Sequence, residues 1–414
     1  MDYVAGRIIS GPGTTILRRN VALALSMISN LALLGFFKYY MFFMGGLNHL
    51  LATMGVGPSY FNIMSITLPV GISFYTFQSM SYTIDVWRGD APPVKDLRTF
   101  SCFVALFPQL VAGPIIRYNT VANQLEKRHH TILRFVSGIM VFSLGMGKKI
   151  LLANPAGQIA DVVFAADSPG MLYSWVGILA YAIQIYFDFN GYSDMAVGLG
   201  RMLGFEFIRN FNAPYRARSM TDFWKRWHMS LTTWFTDYLY KSIGGNRVAT
   251  KKRLYFNLFL VMFISGLWHG ANWTFVAWGI FHAFFLISER LLDKKPIYEP
   301  LPLPIKILLT QVIVLFAWVL FRAPDIGSAV EFWKSMVGLK DVAVGSPLLG
   351  SLVFESYGVF TLFLAIVLTQ LPWQAHDFAA KVTWPRIIAC FLVLLLSIVT
   401  MFTQAFNPFL YFQF

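Results

Sequence analysis

The chain contains several continuous apolar runs long enough to cross a lipid bilayer, and these runs constrain its fold more than any other feature. The clearest runs cover residues 21–43, 132–152, 305–321 and 386–405. A helix of about 17–25 apolar residues crosses the hydrocarbon core. Because hydrocarbon holds no water to satisfy the backbone, the spanning elements must be helices or a closed barrel. The runs are continuous rather than alternating, so the sequence predicts an all-α polytopic membrane protein.

Further apolar segments raise the expected number of helices. They cover residues 61–87, 171–187, 254–268, 272–289 and 357–372. With them we expect about nine to eleven helices that cross or re-enter the membrane. Only 13% of the residues are charged, about half the share in soluble domains. We therefore predict one membrane-embedded domain over residues 1–414, with residues 323–356 as an extramembrane excursion.

The positive charge of the chain is concentrated in one region. The formal net charge is +13, and between Arg201 and Arg253 there are 11 Lys and Arg against three acidic residues. Basic residues beside membrane spans mark the cytoplasmic side and attract anionic lipid headgroups. We interpret residues 201–253 as a basic, amphipathic segment on the cytoplasmic side, with membrane lipid as a partner. Nucleic-acid binding is not expected, because the charges are interleaved with membrane-length segments.

A polar segment, Phe187-Asp-Phe-Asn-Gly-Tyr-Ser-Asp194, follows one apolar run. Acidic residues inside a membrane are costly and are normally paired. The spacing of Asp188, Asn190 and Asp194 superficially resembles a calcium loop, but the glycine is misplaced and the glutamate is missing. No metal site is predicted. For Asp188 we favour a helix-bridging role, with a share in an active site as the alternative.

Three histidines lie in or near the apolar runs. His269 lies 16 residues beyond Arg253, which places it roughly 24 Å along a helix and deep in the bilayer. A neutral imidazole there can accept a proton from a hydroxyl without a metal, or it can simply be packed, and chemistry alone leaves these alternatives equal. His228 is expected to share a helix face with Trp224. His282 would point about 140° away from His269 on an ideal helix, so we expect it to be structural.

The helix that carries Trp224 has a recognisable start. Ser219 or Thr221 can cap this helix, and Ser219 precedes Asp222 by three residues, as in a capping box. Asp222 and Arg226 are four residues apart and are expected to form an ion pair on one face of that helix.

Long, ordered motifs resemble the membrane-bound O-acyltransferase superfamily, and more closely its bacterial alginate O-acetyltransferase branch. The motifs are Ala112-Gly-Pro-Ile-Ile-Arg117, Tyr186-Phe-Asp-Phe-Asn-Gly-Tyr-Ser-Asp194, Asn210-Phe-Asn-Ala-Pro-Tyr215, Phe223-Trp-Lys-Arg-Trp-His-Met-Ser-Leu231, Asp237-Tyr-Leu-Tyr240, Gly244-Gly-Asn-Arg247, Gly266-Leu-Trp-His-Gly-Ala-Asn-Trp273, Trp278-Gly-Ile-Phe-His282 and Tyr411-Phe-Gln-Phe414. The related D-alanyl transfer proteins of teichoic-acid modification share the Arg-Trp-His and Trp-His-Gly elements. The Gly-Gly-Asn-Arg turn and the terminal motif favour the alginate-like branch.

The resemblance implies a catalytic site. The hallmark histidine of the superfamily corresponds to His269, which is expected to act as the general base in a central acyl-transfer tunnel, with His228 as a second catalytic histidine. Acetyl-coenzyme A is the implied acyl donor, and no permanently bound cofactor is expected. The candidates for binding substrate or acyl-coenzyme A are Trp224, Lys225, Arg226, Trp268, Asn272 and Asp188.

The resemblance also implies a setting in the cell. Such a protein is expected in the bacterial cytoplasmic (inner) membrane, where it passes acetyl groups to an extracytoplasmic partner protein for O-acetylation of alginate or a similar exopolysaccharide. The alternatives are D-alanyl or other acyl transfer to a cell-wall polymer, a membrane transporter or flippase, and a non-catalytic scaffold. A transporter would predict inverted repeats, and none is evident. The family usually has further helices ahead of the region that begins here at Asp2-Tyr3; a truncated start, a miscalled start or a shorter variant would each account for this.

Overall fold

The structure, a computed structural model, describes residues 1–56, 60–340, 346–404 and 409. Throughout these residues the regular elements are helices and there is no strand. Six helices are long and apolar enough to cross a membrane: Ile16–Thr53, Ile132–Phe164, Gly170–Met202, Trp273–Leu291, Leu303–Arg322 and Trp384–Thr403. The prediction of an all-α polytopic membrane protein is confirmed. The larger predicted number included re-entrant helices, and the described part adds shorter apolar ones such as Ser356–Thr369.

The chain divides into two compact units, and the first comprises Met1–His129 with Gly270–Asn272. Its helices are α1 (Asp2–Ile9), α2 (Ile16–Thr53), α3 (Ile72–Arg88), α4 (Leu97–Val104), α5 (Phe107–Leu110) and α6 (Tyr118–Glu126). The helices α1, α2 and α3 pack together.

The predicted apolar run over residues 61–87 is helical only from Ile72 onward. Pro69 has no backbone N–H to donate, and Gly71 has a φ of 77°, which ends helical geometry. The helix therefore starts after these residues instead of bending at them.

The second unit comprises His130–His269 and Trp273–Phe414. Its helices are α7 (Ile132–Gly147), α8 (Asn154–Phe164), α9 (Gly170–Met202), α10 (Met220–Trp224), α11 (Met229–Trp234), α12 (Lys251–His269), α13 (Trp273–Leu291), α14 (Leu303–Arg322), α15 (Ile326–Met336), α16 (Ser346–Val353), α17 (Ser356–Thr369), α18 (Ala375–Ala379) and α19 (Trp384–Thr403). A π-helical turn, Lys148–Ala153, joins α7 to α8 without a break. The prediction of a single domain over 1–414 stays a prediction, and part of the excursion at 323–356 lies outside the described residues.

Helices α7 and α9 run antiparallel in close contact, and glycines make this possible. An added methyl carbon on Gly191 would lie 2.7 Å from the Gly145 carbonyl oxygen, and one on Gly198 would lie 2.6 Å from the Gly138 carbonyl oxygen. Both pairs are spaced by seven residues, about two helical turns. Small residues at this spacing let two membrane helices approach at backbone distance. The polar segment 187–194 therefore lies within the continuous helix α9, against α7.

Helices α12 and α13 form a hairpin with a similar contact. A methyl carbon added to Gly279 would lie 2.5 Å from the Met262 carbonyl oxygen, and Gly266 lies directly against the Phe275 carbonyl oxygen. This contact fixes the end of α12, where His269 lies, against the first turns of α13.

A large apolar groove lies beside α9. Its volume is about 420 Å³, and it is lined mainly by aliphatic and aromatic side chains of α7, α9, α17 and α19. Lys148, Tyr186 and Gln374 are among the few polar groups in its wall.

Candidate functional site

His269 is the last residue of α12, and three aromatic rings surround it. Its ring packs edge-on against Trp268, Trp278 and Phe321, with centroid separations of 5.0–5.1 Å. The side chain is buried. The aromatic walls hold the imidazole in one orientation and exclude bulk water from most of it.

His228 lies between α10 and α11 in a left-handed backbone conformation, with a φ of 44°. This region is uncommon for residues other than glycine and costs about 1–3 kcal/mol, and such strain clusters at functional sites. The prediction that His228 shares a helix face with Trp224 is wrong. Helix α10 ends at Trp224, and the turn that follows directs His228 to a different place.

Asn210 orients His228. The His228 Nδ1 lies 3.0 Å from the Asn210 Oδ1, which also accepts hydrogen bonds from the backbone N–H and the hydroxyl of Ser230. Because the Asn210 oxygen acts as the acceptor, His228 Nδ1 carries the proton and its Nε2 presents a lone pair. Burial lowers the pKa of His228 to about 3. The ring is therefore a neutral imidazole at physiological pH.

A small cavity joins the two histidines. His228, His269 and Asp188 line it together with seven apolar residues: Ile185, Phe189, Trp227, Trp278, Trp318, Phe321 and Phe409. Its volume of about 20 Å³ accommodates about one water-sized group. A thioester and a hydroxyl can therefore enter only if side chains of the wall move apart.

Asp188 supplies the carboxylate in the cavity wall. It is buried on α9, and its Oδ1 lies 2.6 Å from the ammonium of Lys149 in the π-helical turn. The Lys149 ammonium also lies 5.9 Å from the ring centre of Phe409, another wall residue. The helix-bridging role favoured for Asp188 is therefore seen, and the same side chain contributes to the histidine cavity.

The neighbouring lysine forms a second ion pair across the same helices. Lys148 pairs with Asp194 on α9. In its better-satisfied orientation the Asn190 amide donates to Asp194 and accepts from Lys148 and Tyr186. Of these residues, Lys148 and Tyr186 face the apolar groove, and none lines the cavity of the histidines.

Helix α10 is held at its start by a carboxylate from another helix. Glu289 of α13 is buried, and its two oxygens accept from the backbone N–H groups of Met220 and Thr221 at 2.6 and 2.9 Å. The Ser219 hydroxyl accepts from the Asp222 N–H, which confirms Ser219 as the N-cap. A carboxylate at a helix N-terminus satisfies the free N–H groups and complements the helix dipole.

The predicted pair of Asp222 and Arg226 is confirmed, with the Arg226 Nε 2.8 Å from the Asp222 Oδ1. A second donor of Arg226 reaches the Asn212 carbonyl at 3.3 Å. Lys225 is exposed. The guanidinium therefore ties α10 to the preceding loop, whereas Lys225 is available to solvent.

The two tryptophans predicted as substrate-binding candidates, Trp268 and Trp224, have different neighbours. Trp268 contacts the rings of both His228 and His269. Trp224 packs on Trp278 and His282, behind the cavity wall. Their role in binding a substrate stays a prediction, as does that of Asn272, which lies in the turn between α12 and α13.

His282 is fully buried against Trp224 and Trp278, at 5.0 and 4.6 Å between ring centres. It does not line the cavity of His228 and His269. This placement agrees with the expected structural role, in which His282 supports the aromatic layer behind the cavity.

Several residues of the site carried no clear signal in the sequence. Lys149 and Glu289 lie near the ends of the apolar runs 132–152 and 272–289, where a charged residue is ordinary, yet both are buried. Asn210 begins one of the recognised motifs, but the sequence does not indicate that it contacts His228. The aromatic wall residues Trp318 and Phe321 come from α14, whose hydrophobicity alone predicts only a membrane span.

Comparison with known proteins places the chain in one family. The profile of MBOAT, the membrane-bound O-acyltransferase family, matches residues 94–295. The chain is 39% identical to the probable alginate O-acetylase AlgI of Azotobacter vinelandii, over 100% of this chain and 89% of the relative. It is 35% identical to a peptidoglycan O-acetyltransferase of Helicobacter pylori, over 78% of this chain and 66% of the relative.

A more distant match is the teichoic acid D-alanyltransferase of Bacillus subtilis, with 28% identity over 54% of this chain and 60% of the relative. The family profile covers both histidines, His228 and His269, and most of the cavity wall. The full-length similarity confirms the resemblance seen in the motifs: the chain is an enzyme that belongs to the membrane-bound O-acyltransferase family.

Proposed function

We propose that this enzyme transfers acetyl groups from acetyl-coenzyme A across the cytoplasmic membrane for O-acetylation of an extracytoplasmic polysaccharide, alginate or a similar exopolysaccharide. The observation that carries the proposal is the convergence of His228, His269 and Asp188 on one buried cavity. It occurs in a chain that is similar over its whole length to a probable alginate O-acetylase.

In the proposed reaction His269 is the general base. Its imidazole takes the proton of an acceptor hydroxyl, and the hydroxyl oxygen attacks the carbonyl carbon of the acetyl thioester. The C–S bond then breaks, the acetyl group becomes an ester of the acceptor, and the imidazolium returns its proton to the coenzyme A thiolate. His228, held neutral and oriented by Asn210, contributes a second nitrogen to the cavity.

The basic segment 201–253 supports binding of the donor on the cytoplasmic side. Coenzyme A carries several phosphate charges, which Lys and Arg side chains bind well. Lys225 is exposed beside α10, whereas Arg226 already forms an ion pair. We therefore prefer Lys225 to Arg226 as the residue that binds a phosphate of the donor. Acetyl groups would pass from this enzyme to an extracytoplasmic partner protein that modifies the polymer.

A second candidate is transfer of a D-alanyl or other acyl group to a cell-wall polymer. The similarity to a teichoic acid D-alanyltransferase supports it, but that similarity covers about half of the chain. The residues of the histidine cavity would serve either acyl group. The donor therefore has to be identified by assay.

The test is acetyl transfer by the purified protein in lipid nanodiscs with radiolabelled acetyl-coenzyme A, with and without the partner and polymer. We expect thioester turnover in the wild type and a loss of at least about 100-fold in His269→Ala, as for removal of a general base. His129→Ala, at an exposed position, is the control and should retain full turnover. Equal rates in His269→Ala and wild type would exclude His269 as the base. Absence of turnover with the partner present would contradict the enzyme's proposed donor.

The site of donor binding has its own test. Lys225→Ala should raise the KM for acetyl-coenzyme A several-fold and leave kcat unchanged, because a phosphate contact distant from the reacting atoms contributes uniform binding. Lys334→Ala removes an exposed lysine outside the basic segment and should leave both parameters unchanged. Equal KM values in the two variants would exclude Lys225 from donor binding.

A further inference from the structure

The pair of Lys149 and Asp188 has features that a purely structural ion pair does not need. Asp188 is part of the wall of the cavity that contains both histidines, and Lys149 touches two wall residues, Asp188 and Phe409. Removing two charges from water inside a membrane protein is costly, and a pair of apolar residues often gives equal or greater stability.

The neighbouring ion pair of Lys148 and Asp194 offers a comparison, because it lies outside the histidine cavity. Lys148 and Asp194 join the same π-helical turn to α9, but neither lines the histidine cavity. Two adjacent lysines thus reach two acids six residues apart on α9. The π-helical turn changes the directions of successive side chains, and such turns are frequent at functional sites.

We propose that Lys149 and Asp188 are positioning residues for acyl transfer. Lys149 holds the Asp188 carboxylate ionised and fixed in the cavity wall, and that carboxylate stabilises the imidazolium that forms when His269 takes the proton of the acceptor. This inference rests on the proposed role of His269 as the base.

The arrangement suits this role electrostatically. When His269 accepts a proton, a positive charge appears in a cavity whose other walls are mostly aromatic. Asp188 and His269 line the same cavity, and a nearby ionised carboxylate favours the charged form of an imidazole. Among the described residues that line the cavity, the titratable groups besides His269 are His228 and Asp188; Lys149 lies behind Asp188, and His282 lies behind Trp278. Asp188 is the one acid among these groups.

Two paired substitutions separate positioning from support of the fold. Lys149→Met/Asp188→Asn removes both charges together, so neither partner is left as an isolated buried ion. Lys148→Met/Asp194→Asn makes the same change in the neighbouring pair and serves as the matched control. Folding is checked by size-exclusion chromatography and by thermal unfolding in nanodiscs.

We expect the Lys149/Asp188 double variant to fold and to lose about tenfold in kcat with an unchanged KM for acetyl-coenzyme A, whereas the control pair keeps wild-type kinetics. The acidic limb of its pH–rate profile should move down by about one pH unit, since the imidazolium has lost its stabilising charge. Wild-type kcat in the Lys149/Asp188 double variant would overturn the proposal, because the pair would then be structural only.

A readout independent of acetyl transfer separates this inference from the proposed function. The pH midpoint of the His269 Cε1 chemical shift, followed by NMR of histidine-labelled protein, reports its protonation directly and needs no reagent to enter the cavity. The midpoint should fall by about one pH unit in Lys149→Met/Asp188→Asn and not in the control pair; an unchanged midpoint would overturn the inference even if acetyl transfer were observed. If the double variant does not fold, Asp188→Glu provides the test. This variant keeps the negative charge and should keep the wild-type pH midpoint of His269. A downward shift of that midpoint would contradict the proposal.

Discussion

Replacing Gly191 by alanine tests the contact that brings α9 to α7. The added methyl carbon would lie 2.7 Å from the Gly145 carbonyl oxygen and 3.1 Å from the Lys149 backbone nitrogen. An ordinary contact is 3.4 Å or longer, so the helices must separate locally by about 0.7 Å. A gap of this size forfeits a quarter to a half of the attraction between facing atoms.

The expected cost is about 1–3 kcal/mol of unfolding free energy, as for other overpacked interiors. The same separation would lengthen the ion pair of Lys149 and Asp188, which crosses this interface at 2.6 Å. Gly191→Ala should therefore also lower the rate of acyl transfer. Gly145→Ala should act similarly, and the double variant should lose less than the sum, because the first methyl group already separates the backbones.

The assay is unfolding in mixed micelles with increasing denaturing detergent, followed by tryptophan fluorescence. Gly35→Ala is the control: Gly35 lies within α2, and an added carbon there would meet nothing within 4 Å. Alanine is the better helix former by about 1 kcal/mol, so this variant should be at least as stable as the wild type. If Gly191→Ala proved as stable as Gly35→Ala, the backbone contact would not hold these helices together.

Two further predictions concern the loop between α9 and α12. Glu289→Gln should lower the unfolding free energy, measured in the same detergent unfolding assay, by about 1–2 kcal/mol, since the start of α10 loses a charged acceptor. As a control, Glu299→Gln breaks a more exposed ion pair with Lys306 and should cost less than about 1 kcal/mol. Asn210→Ala should leave His228 without its hydrogen-bond acceptor and lower kcat by about tenfold, a loss of ~1.4 kcal/mol of barrier stabilisation; wild-type kcat in this variant would show that the orientation of His228 is irrelevant to turnover.

The sequence was sufficient for the fold class and for the family. Continuous apolar runs exclude strands, and the motif around His269 is long enough to identify the family. Predictions that depend only on residues close in sequence were also confirmed, namely the N-cap at Ser219 and the ion pair of Asp222 with Arg226.

Features that depend on distant parts of the chain could not be derived in this way. The positive φ of His228 separates it from Trp224, and no residue preference at that position announces the turn. Lys149 resembles an ordinary basic residue at the end of a span. Only the continuation of the helix through a π-helical turn, and its pairing with α9, shows that the lysine is buried.

Helix α9 alone separates the histidine cavity from the apolar groove at this point. Ile185, Asp188 and Phe189 occupy the face toward the histidines, whereas Tyr186 and Phe187 occupy the face toward the apolar groove. The helical period assigns neighbouring positions to opposite sides, and the two walls share no described residue, although Tyr186 also packs on Trp227 of the histidine cavity. Substitutions at the α17 and α19 residues of the groove can therefore change its shape without changing any residue that lines the histidine cavity.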